Sequence, residues 1–353
     1  MQLHRVGELA LLKNVRNRFA AASSDRSILV PIGDDAAVIS PASSSIAVTT
    51  DLMAEGVHFN LAYTSPSALG FKLVSVNVSD IMAMGARPRY LFLNLGLKAD
   101  SDEIFFNRFY DGVQAACELY GVLLTGGDMS GVRSDLFVSA TVIGECERFV
   151  TRRGARPGDK IYVTGAPGES GCGLALLKQM DAAVHAQILS FVGVHSDTQA
   201  SESVAVGNTS LRWTDAEPLL CRHLMPIART AELIAPCATA MLDVSDGLCI
   251  DLIRLCDESA VGAALQLADV PLSEALCAGA ACLGADPFSF AVAGGEDYEL
   301  LFTASSLPDE LLAGAAGFPI TCIGGITAQE RIIVGIDGSV SPLVARGYEH
   351  FSD

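Results

Sequence analysis

The sequence predicts an α/β protein of two domains, and three observations carry that expectation. Helical and strand-like apolar patterns alternate along most of the chain. Its 353 residues are long for one domain and comfortable for two, each able to bury a core. A basic run of Arg148, Arg152, Arg153, Arg156 and Lys160, interrupted by Pro157-Gly158-Asp159, reads as a boundary between residues 1–148 and 149–353.

Composition narrows the function classes. Half the residues are apolar and 18% are charged, as in a globular protein. The net charge of -18, from 41 acidic and 23 basic residues, repels nucleic acid and anionic lipid. An anionic ligand must therefore be met by local basic residues or by metal. Met1 to Phe19 carries Arg5, Lys13, Arg16 and Arg18 and has no apolar stretch of the kind a secretory signal needs. Leu311 to Ile326 is broken by glycines and Pro319 and is too short to cross a bilayer. The expectation is a cytoplasmic protein without membrane or nucleic-acid partners. Ten scattered cysteines with no C-x2-C pair predict neither a zinc site nor a disulfide framework.

Taken in order, Gly7 to Phe19 has helical spacing, and strands are expected near 28–32 and 46–50. Ser67 is expected to cap an apolar helix reaching about Met84, on which Asn77 and Asp80 share one face. A carboxylate on so apolar a helix needs a partner, or else lies at a solvated edge. Tyr90 to Leu97 reads as a strand, and Ser101 as the cap of a helix from Asp102 to Tyr120 that Gly121 stops. Val122 to Thr125 reads as a strand running into Gly126-Gly127-Asp128, where paired glycines admit either a ligand or a plain turn. Leu136 to Cys146 is the next strand.

Beyond the boundary, Lys160 to Thr164 predicts a strand, followed by the glycine-rich turn 165–173 and a helix. That turn lacks the Lys-Ser/Thr ending of a P-loop, so it is a weak phosphate motif. Residues 182–216 read as a surface insertion or partly mobile connection. Ala240 to Asp243 predicts a strand, and Val244-Ser245-Asp246-Gly247 starts a helix, either capping it or binding metal. The turn Gly294-Gly295-Glu296-Asp297 precedes a strand that ends near Thr303.

The acidic turns gain weight together. Asp34 and Asp35 follow Ile32-Gly33, and Asp51 closes the run from Ile46. Two carboxylates about 4 Å apart repel by roughly 4 kcal/mol at an effective dielectric near 20, so such clusters need cations or hydrogen-bond donors. Magnesium, bound through one or two carboxylates with waters and phosphates, suits this set.

The ordered series IGDDAAV, TTDLMAEGVHF, NVSDIMAMGA, GGD, TRRGARPGD, LDVSDG and GGEDYEL resembles the thiamine-monophosphate kinases of the aminoimidazole-ribonucleotide synthetase-like superfamily, over nearly the whole chain. The resemblance implies that N-terminal α/β domains pair in a homodimer, with ATP between the N- and C-terminal domains. It places several magnesium ions on Asp35, Thr49, Thr50, Asp51, Asp80, Asp128, Asp243 and Asp246. ATP falls on Tyr110, Gly127, Asp128, Arg152 and Ser245, and thiamine monophosphate on His58, Glu296 and Tyr348. Catalysis would rest on Arg152, Asp51, Asp80 and Asp128. The acceptor phosphate oxygen is already anionic, so no side chain need remove a proton.

Three departures stand out: Tyr348 replaces a frequent Trp or Phe, Met225 a frequent arginine, and 182–216 looks longer than usual. The alternatives are an aminoimidazole-ribonucleotide synthetase and a non-catalytic Mg-nucleotide binding module. A selenophosphate synthetase would carry a reactive cysteine near the N-terminus, whereas the first here is Cys117.

Overall fold

The computed structural model describes residues 8–19, 25–30, 38–42, 45–98, 101–191 and 202–349. They form two compact units. The first takes the described residues up to Ile81, Ala86–Arg148 and the described residues 186–191; the second takes Met82–Gly85, Phe149–His185 and the described residues from 202 on. Asp34 and Asp35 lie outside the described residues, as do Ser196, Thr198 and Ser201.

The first part of the chain runs α1 (Glu8–Arg18), β1 (Ile28–Val30), β2 (Val38–Ile39), β3 (Ser45–Ala54), α2 (Pro66–Ala83), β4 (Arg87–Lys98), α3 (Glu103–Tyr120), β5 (Leu123–Val132) and β6 (Phe137–Cys146). A four-stranded sheet has the order β3-β6-β4-β5, antiparallel except between β4 and β5. Alternation along β6 buries Val138, Ala140 and Val142. Helices α2 and α3 cross where each offers a glycine. A Cβ on Gly70 would stand 2.1 Å from the Phe109 carbonyl oxygen, and one on Gly112 1.8 Å from that of Ser67, so no other residue permits this approach.

Two caps differ from expectation. Ser65, not Ser67, caps α2, its Oγ accepting from the Ala68 N–H at 3.1 Å. Pro66 explains the shift, because a residue without an N–H belongs at the first helical position. Asp102, not Ser101, caps α3 by accepting from the Phe105 N–H at 2.6 Å, and Gly121 ends the helix at φ 65°.

The chain continues with β7 (Lys160–Thr164), α4 (Glu169–Gln179), α5 (Ala182–Phe191), β8 (Ser203–Val206), β9 (Thr209–Arg212), α6 (Trp213–Leu224), β10 (Ala240–Asp243), α7 (Leu248–Ser259), β11 (Gly262–Gln266), α8 (Glu274–Leu283), α9 (Pro287–Ala293), β12 (Leu300–Ala304), α10 (Asp309–Leu312), β13 (Ile320–Thr327), β14 (Arg331–Val334) and β15 (Val340–Pro342). Seven strands form one sheet in the order β10-β12-β7-β13-β11-β14-β15. On it Tyr162 stacks on Phe302 with ring centroids 5.3 Å apart, among the buried Met241, Ile234 and Leu300. Beside it α4 and α6 pack closely at Gly173, whose added Cβ would stand 2.2 Å from the Leu219 carbonyl oxygen.

The stretch 182–216 is more ordered than an insertion of surface loop. It holds α5, the hairpin β8–β9 and the start of α6, and only 192–201 falls outside the described residues. Val206 pairs with Thr209 across Gly207-Asn208, with Gly207 at φ 55°, the left-handed backbone that a two-residue hairpin turn requires. Val204, Val206, Leu211 and Trp213 are buried. All ten cysteines are free thiols, and Cys117, Cys146, Cys172, Cys249 and Cys256 are buried. Among the described residues no single helix is long and apolar enough to cross a membrane.

Candidate functional site

In the first unit β3 and α2 bring the predicted acidic residues together. Asp51 and Thr49 lie on alternate positions of β3, while Asn77 and Asp80 lie one turn apart on α2. The fully buried Asn77 accepts the Asp51 N–H on Oδ1 at 3.0 Å and donates from Nδ2 to the Leu73 carbonyl at 2.9 Å. The Thr49 hydroxyl donates to Asp80 Oδ2 at 2.6 Å. Burial first, and then the charge of Asp80, push the Asp51 carboxyl up to about 6. Both influences act in the same direction, as expected of carboxylates arranged for a cation.

Thr50 and Asp128 behave differently. The Thr50 hydroxyl donates to the Ala140 carbonyl at 3.0 Å and accepts from Thr141 at 3.1 Å, so it is committed across the sheet rather than to Asp51. Asp128 is exposed on β5 at the register position of Asn94. The glycines before it serve strand pairing: a Cβ on Gly127 (φ 150°) would meet the Leu93 carbonyl oxygen at 1.9 Å, and one on Gly126 the Phe92 ring at 2.8 Å. A register shift between Leu91 and Phe92 accompanies them. Tyr110 is a core residue of this unit, 6% exposed against Phe19, Phe106 and Phe109, and burial raises its hydroxyl pKa. His58 Nδ1 accepts the Ala54 N–H at 3.1 Å, which leaves Nε2 as its donor.

A second group forms in the other unit around residues 244–247. The Ser245 carbonyl accepts from the Glu296 N–H at 2.7 Å, and the Asp246 carbonyl from the Tyr348 N–H at 2.9 Å, so two distant turns meet one short segment. Glu296 takes φ 63° and Tyr298 φ 54°, left-handed backbone rare for such residues and a recurrent mark of functional sites. Tyr348 is 48% exposed. The turn 244–247 is capped from within: Asp251 Oδ2 accepts the N–H groups of Ser245, Asp246 and Gly247 at 3.1, 3.0 and 3.1 Å. Arg254 Nη1 reaches Asp246 Oδ2 at 2.5 Å and Asp251 Oδ1 at 2.8 Å. Asp243, at the end of β10, is buried.

The boundary arginines Arg148, Arg152, Arg153 and Arg156 are all exposed. The backbone at Arg152 is held by Ser259, whose hydroxyl donates to the Arg152 carbonyl at 2.8 Å and accepts the N–H groups of Gly154 and Ala155 at 3.1 and 3.2 Å.

Sequence reasoning missed the buried network behind Glu296. Glu299, fully buried, accepts two bonds of 2.7 Å from Arg229, one of 2.6 Å from the Thr164 hydroxyl, and pairs with Arg222 at 3.1 Å. Asp297, also fully buried, accepts the N–H groups of Gly168 and Ser170 at 2.6 and 3.0 Å. Burial raises it to about 7, opposed by those N–H groups and by Arg222. The glycine-rich turn before α4 thus carries an internal carboxylate where a phosphate loop would carry its ligand. These partners lie 70 to 135 residues apart in the chain, and charged residues beside apolar strands were the only signal.

Residues 33–146 match the N-terminal domain, and 156–337 the C-terminal domain, of the AIR synthase related proteins. Thiamine-monophosphate kinase of Aquifex aeolicus (strain VF5) is 34% identical over 354 residues, covering 99% of this chain and 100% of that protein. The chain belongs to the thiamine-monophosphate kinase family. Among solved structures, the thiamine-monophosphate kinase from Stenotrophomonas maltophilia K279a aligns at TM-score 0.75 and 32% identity, covering 92% of this chain and 96% of that one. AaThiL complexed with AMPPCP and TMP aligns at TM-score 0.72 and 32% identity, covering 99% of each chain.

Proposed function

We propose that this protein transfers the γ-phosphoryl group of ATP to the phosphate of thiamine monophosphate, giving thiamine diphosphate and ADP. The observation that carries the reading is the full-length likeness to AaThiL complexed with AMPPCP and TMP. The site has the groups this reaction needs.

The acceptor is anionic before it reacts, so the chain must bring two anions together rather than supply a base. The oxygen donors of Asp51, Asp80 and Thr49 suit magnesium, which takes carboxylates with waters and phosphates; Asp35 and Asp128 are proposed as further ligands from residues 1–148, with a backbone contribution from Thr50, and Asp243 and Asp246 as magnesium ligands of the second unit. Bound there, magnesium would neutralise charge on the phosphates. Asp246 is proposed as the weakest of these ligands, because Arg254 already offsets its charge.

Arg152 supplies an exposed cation for the transferring phosphoryl group, on backbone that Ser259 fixes. Ser245 and Gly127 are proposed to meet the nucleotide through their backbone, and Tyr110 through no more than its hydroxyl edge. Glu296 and Tyr348 are proposed to hold the cationic ring of thiamine by charge and stacking, and His58 is proposed as a further substrate residue, with Nε2 as its donor. Residues 1–148 are proposed as the metal-binding and pairing domain and 149–353 as the substrate domain. A cytoplasmic homodimer is part of the same proposal. Its support is β3, an edge strand whose outward Ile46, Val48 and Leu52 are more than half exposed.

The test is ADP release measured with a panel of acceptors. Steady release is expected with thiamine monophosphate alone; equal release with an aminoimidazole-ribonucleotide precursor, or none with thiamine monophosphate, would overturn the proposal.

A further inference from the structure

Behind Glu296 lies a histidine that the reaction as described does not use. His223, on α6, is 3% exposed, and its Nδ1 stands 3.3 Å from Glu296 Oε2 and 3.2 Å from the Ser170 hydroxyl. Both neighbours are held in turn. The Ser170 N–H donates to Asp297 Oδ1 at 3.0 Å, and Arg222, next to His223 in sequence, joins Glu169 and Glu299 at 3.1 Å each. The imidazole is therefore set in a rigid buried network, while Glu296 is about a quarter exposed at the rim of that network.

The backbone of Glu296 shows why a holder is needed. At φ 63° the residue sits in a conformation that side-chain-bearing residues rarely adopt, and its N–H is tied to the Ser245 carbonyl. A glutamate side chain generally has several staggered rotamers, and the one observed brings Oε2 to 3.3 Å from His223 Nδ1. A carboxylate can only accept, so a hydrogen bond here runs from the Nδ1–H of His223 to Glu296 Oε2, with the Ser170 hydroxyl beside the same nitrogen. A site that must hold a cation gains from a carboxylate fixed before the ligand arrives.

We propose that His223 is a positioning residue for thiamine recognition: by holding Glu296 Oε2 from the buried side, it sets the affinity for the cationic ring while leaving nucleotide binding alone. The inference rests on the proposed reading of Glu296 as a thiamine-monophosphate residue.

The experiment is steady-state kinetics of the full chain, varying each substrate in turn, on His223→Leu, His223→Asn, Glu296→Ala and the pair His223→Leu/Glu296→Ala. His223→Leu removes the donor at similar volume and is expected to raise KM for thiamine monophosphate by about 10-fold, the scale of one hydrogen bond to a charged group, with KM for ATP within about 2-fold. His223→Asn restores a donor near the Nδ1 position and should lie within about 3-fold of wild type. In the Glu296→Ala background His223→Leu should add less than about 2-fold, because a residue acting through Glu296 has nothing left to hold. Equal rises for both substrates, or the full 10-fold rise in the Glu296→Ala background, would show a general packing role and overturn the proposal. If the leucine variant does not fold, Ser170→Ala carries the same selective prediction at about 3-fold, and no selectivity there overturns it equally. Wild-type protein that fails to turn over thiamine monophosphate defeats the functional reading itself; normal wild-type turnover with unselective variants defeats only the role of His223.

Discussion

The two units treat their carboxylates in opposite ways. In the second unit Glu299 meets Arg222, Arg229 and the Thr164 hydroxyl, while Asp251 meets three backbone N–H groups and Arg254. In the first unit Asp51 lies beside Asp80, and burial together with that like charge holds its carboxyl up at about 6. The difference teaches how to separate scaffold from site. Glu299 and Asp251, whose cations and donors the chain supplies, hold the fold together, and Asp51, beside Asp80, is proposed to be arranged for a ligand.

The sharpest way to break this contrast is to remove one member from each side. Glu299→Ala leaves Arg222 and Arg229 without their buried partner and should cost about 3–5 kcal/mol of stability, read as a fall in denaturation midpoint. Loss below about 1 kcal/mol would mean the network is not a scaffold. Asp51→Asn should do the reverse, lowering turnover on the order of 10³-fold without destabilising the metal-free protein. Its pH dependence follows from the raised pKa. An acid whose folded-state pKa is about 6, against 3.8 for the free group, contributes stability below 3.8 that is lost as pH rises through 6. Metal-free Asp51→Asn should therefore melt above wild type at pH 8, with the gap narrowing toward pH 5. A gap that widens toward low pH would contradict the assignment.

Smaller effects sharpen the same comparison. Arg152→Ala should lower turnover by roughly 10²-fold, whereas Arg153→Ala, equally exposed, should stay within about 3-fold. The reverse pattern would reassign the pair. Asp246→Asn should weaken turnover less than Asp51→Asn does, by about 10-fold, because Arg254 already offsets that charge.

Much of this was legible in the chain. Strands Lys160–Thr164 and Ala240–Asp243 stand where apolar runs end in Thr and Asp, and Gly121 stops α3, because local pattern and capping decide such features. Asn77 and Asp80 were recognisable as polar residues on an apolar helix, and their partners proved to be on β3. The hairpin 203–212 carried a signal that went unread: Gly207-Asn208 between Val204, Val206 and Leu211 is a two-residue turn with flanking alternation. Asp251 was likewise visible, an acid within Leu248-Cys249-Ile250 and Leu252-Ile253. The Glu299 network was not, since its partners come from Thr164, Arg222 and Arg229 and only the fold makes them neighbours. The glycines at 126 and 127 also have a reason that only the fold shows, a close approach to β4.

The proposal that the neighbouring carboxylates Asp51 and Asp80 form the working site is tested most directly by calorimetric titration of magnesium into the protein with a non-hydrolysable ATP analogue present. Wild type should bind, Asp51→Asn should lose at least about 10-fold in affinity, and Asp246→Asn should lose clearly less. Magnesium binding unchanged by Asp51→Asn, or abolished by Asp246→Asn alone, would contradict the account.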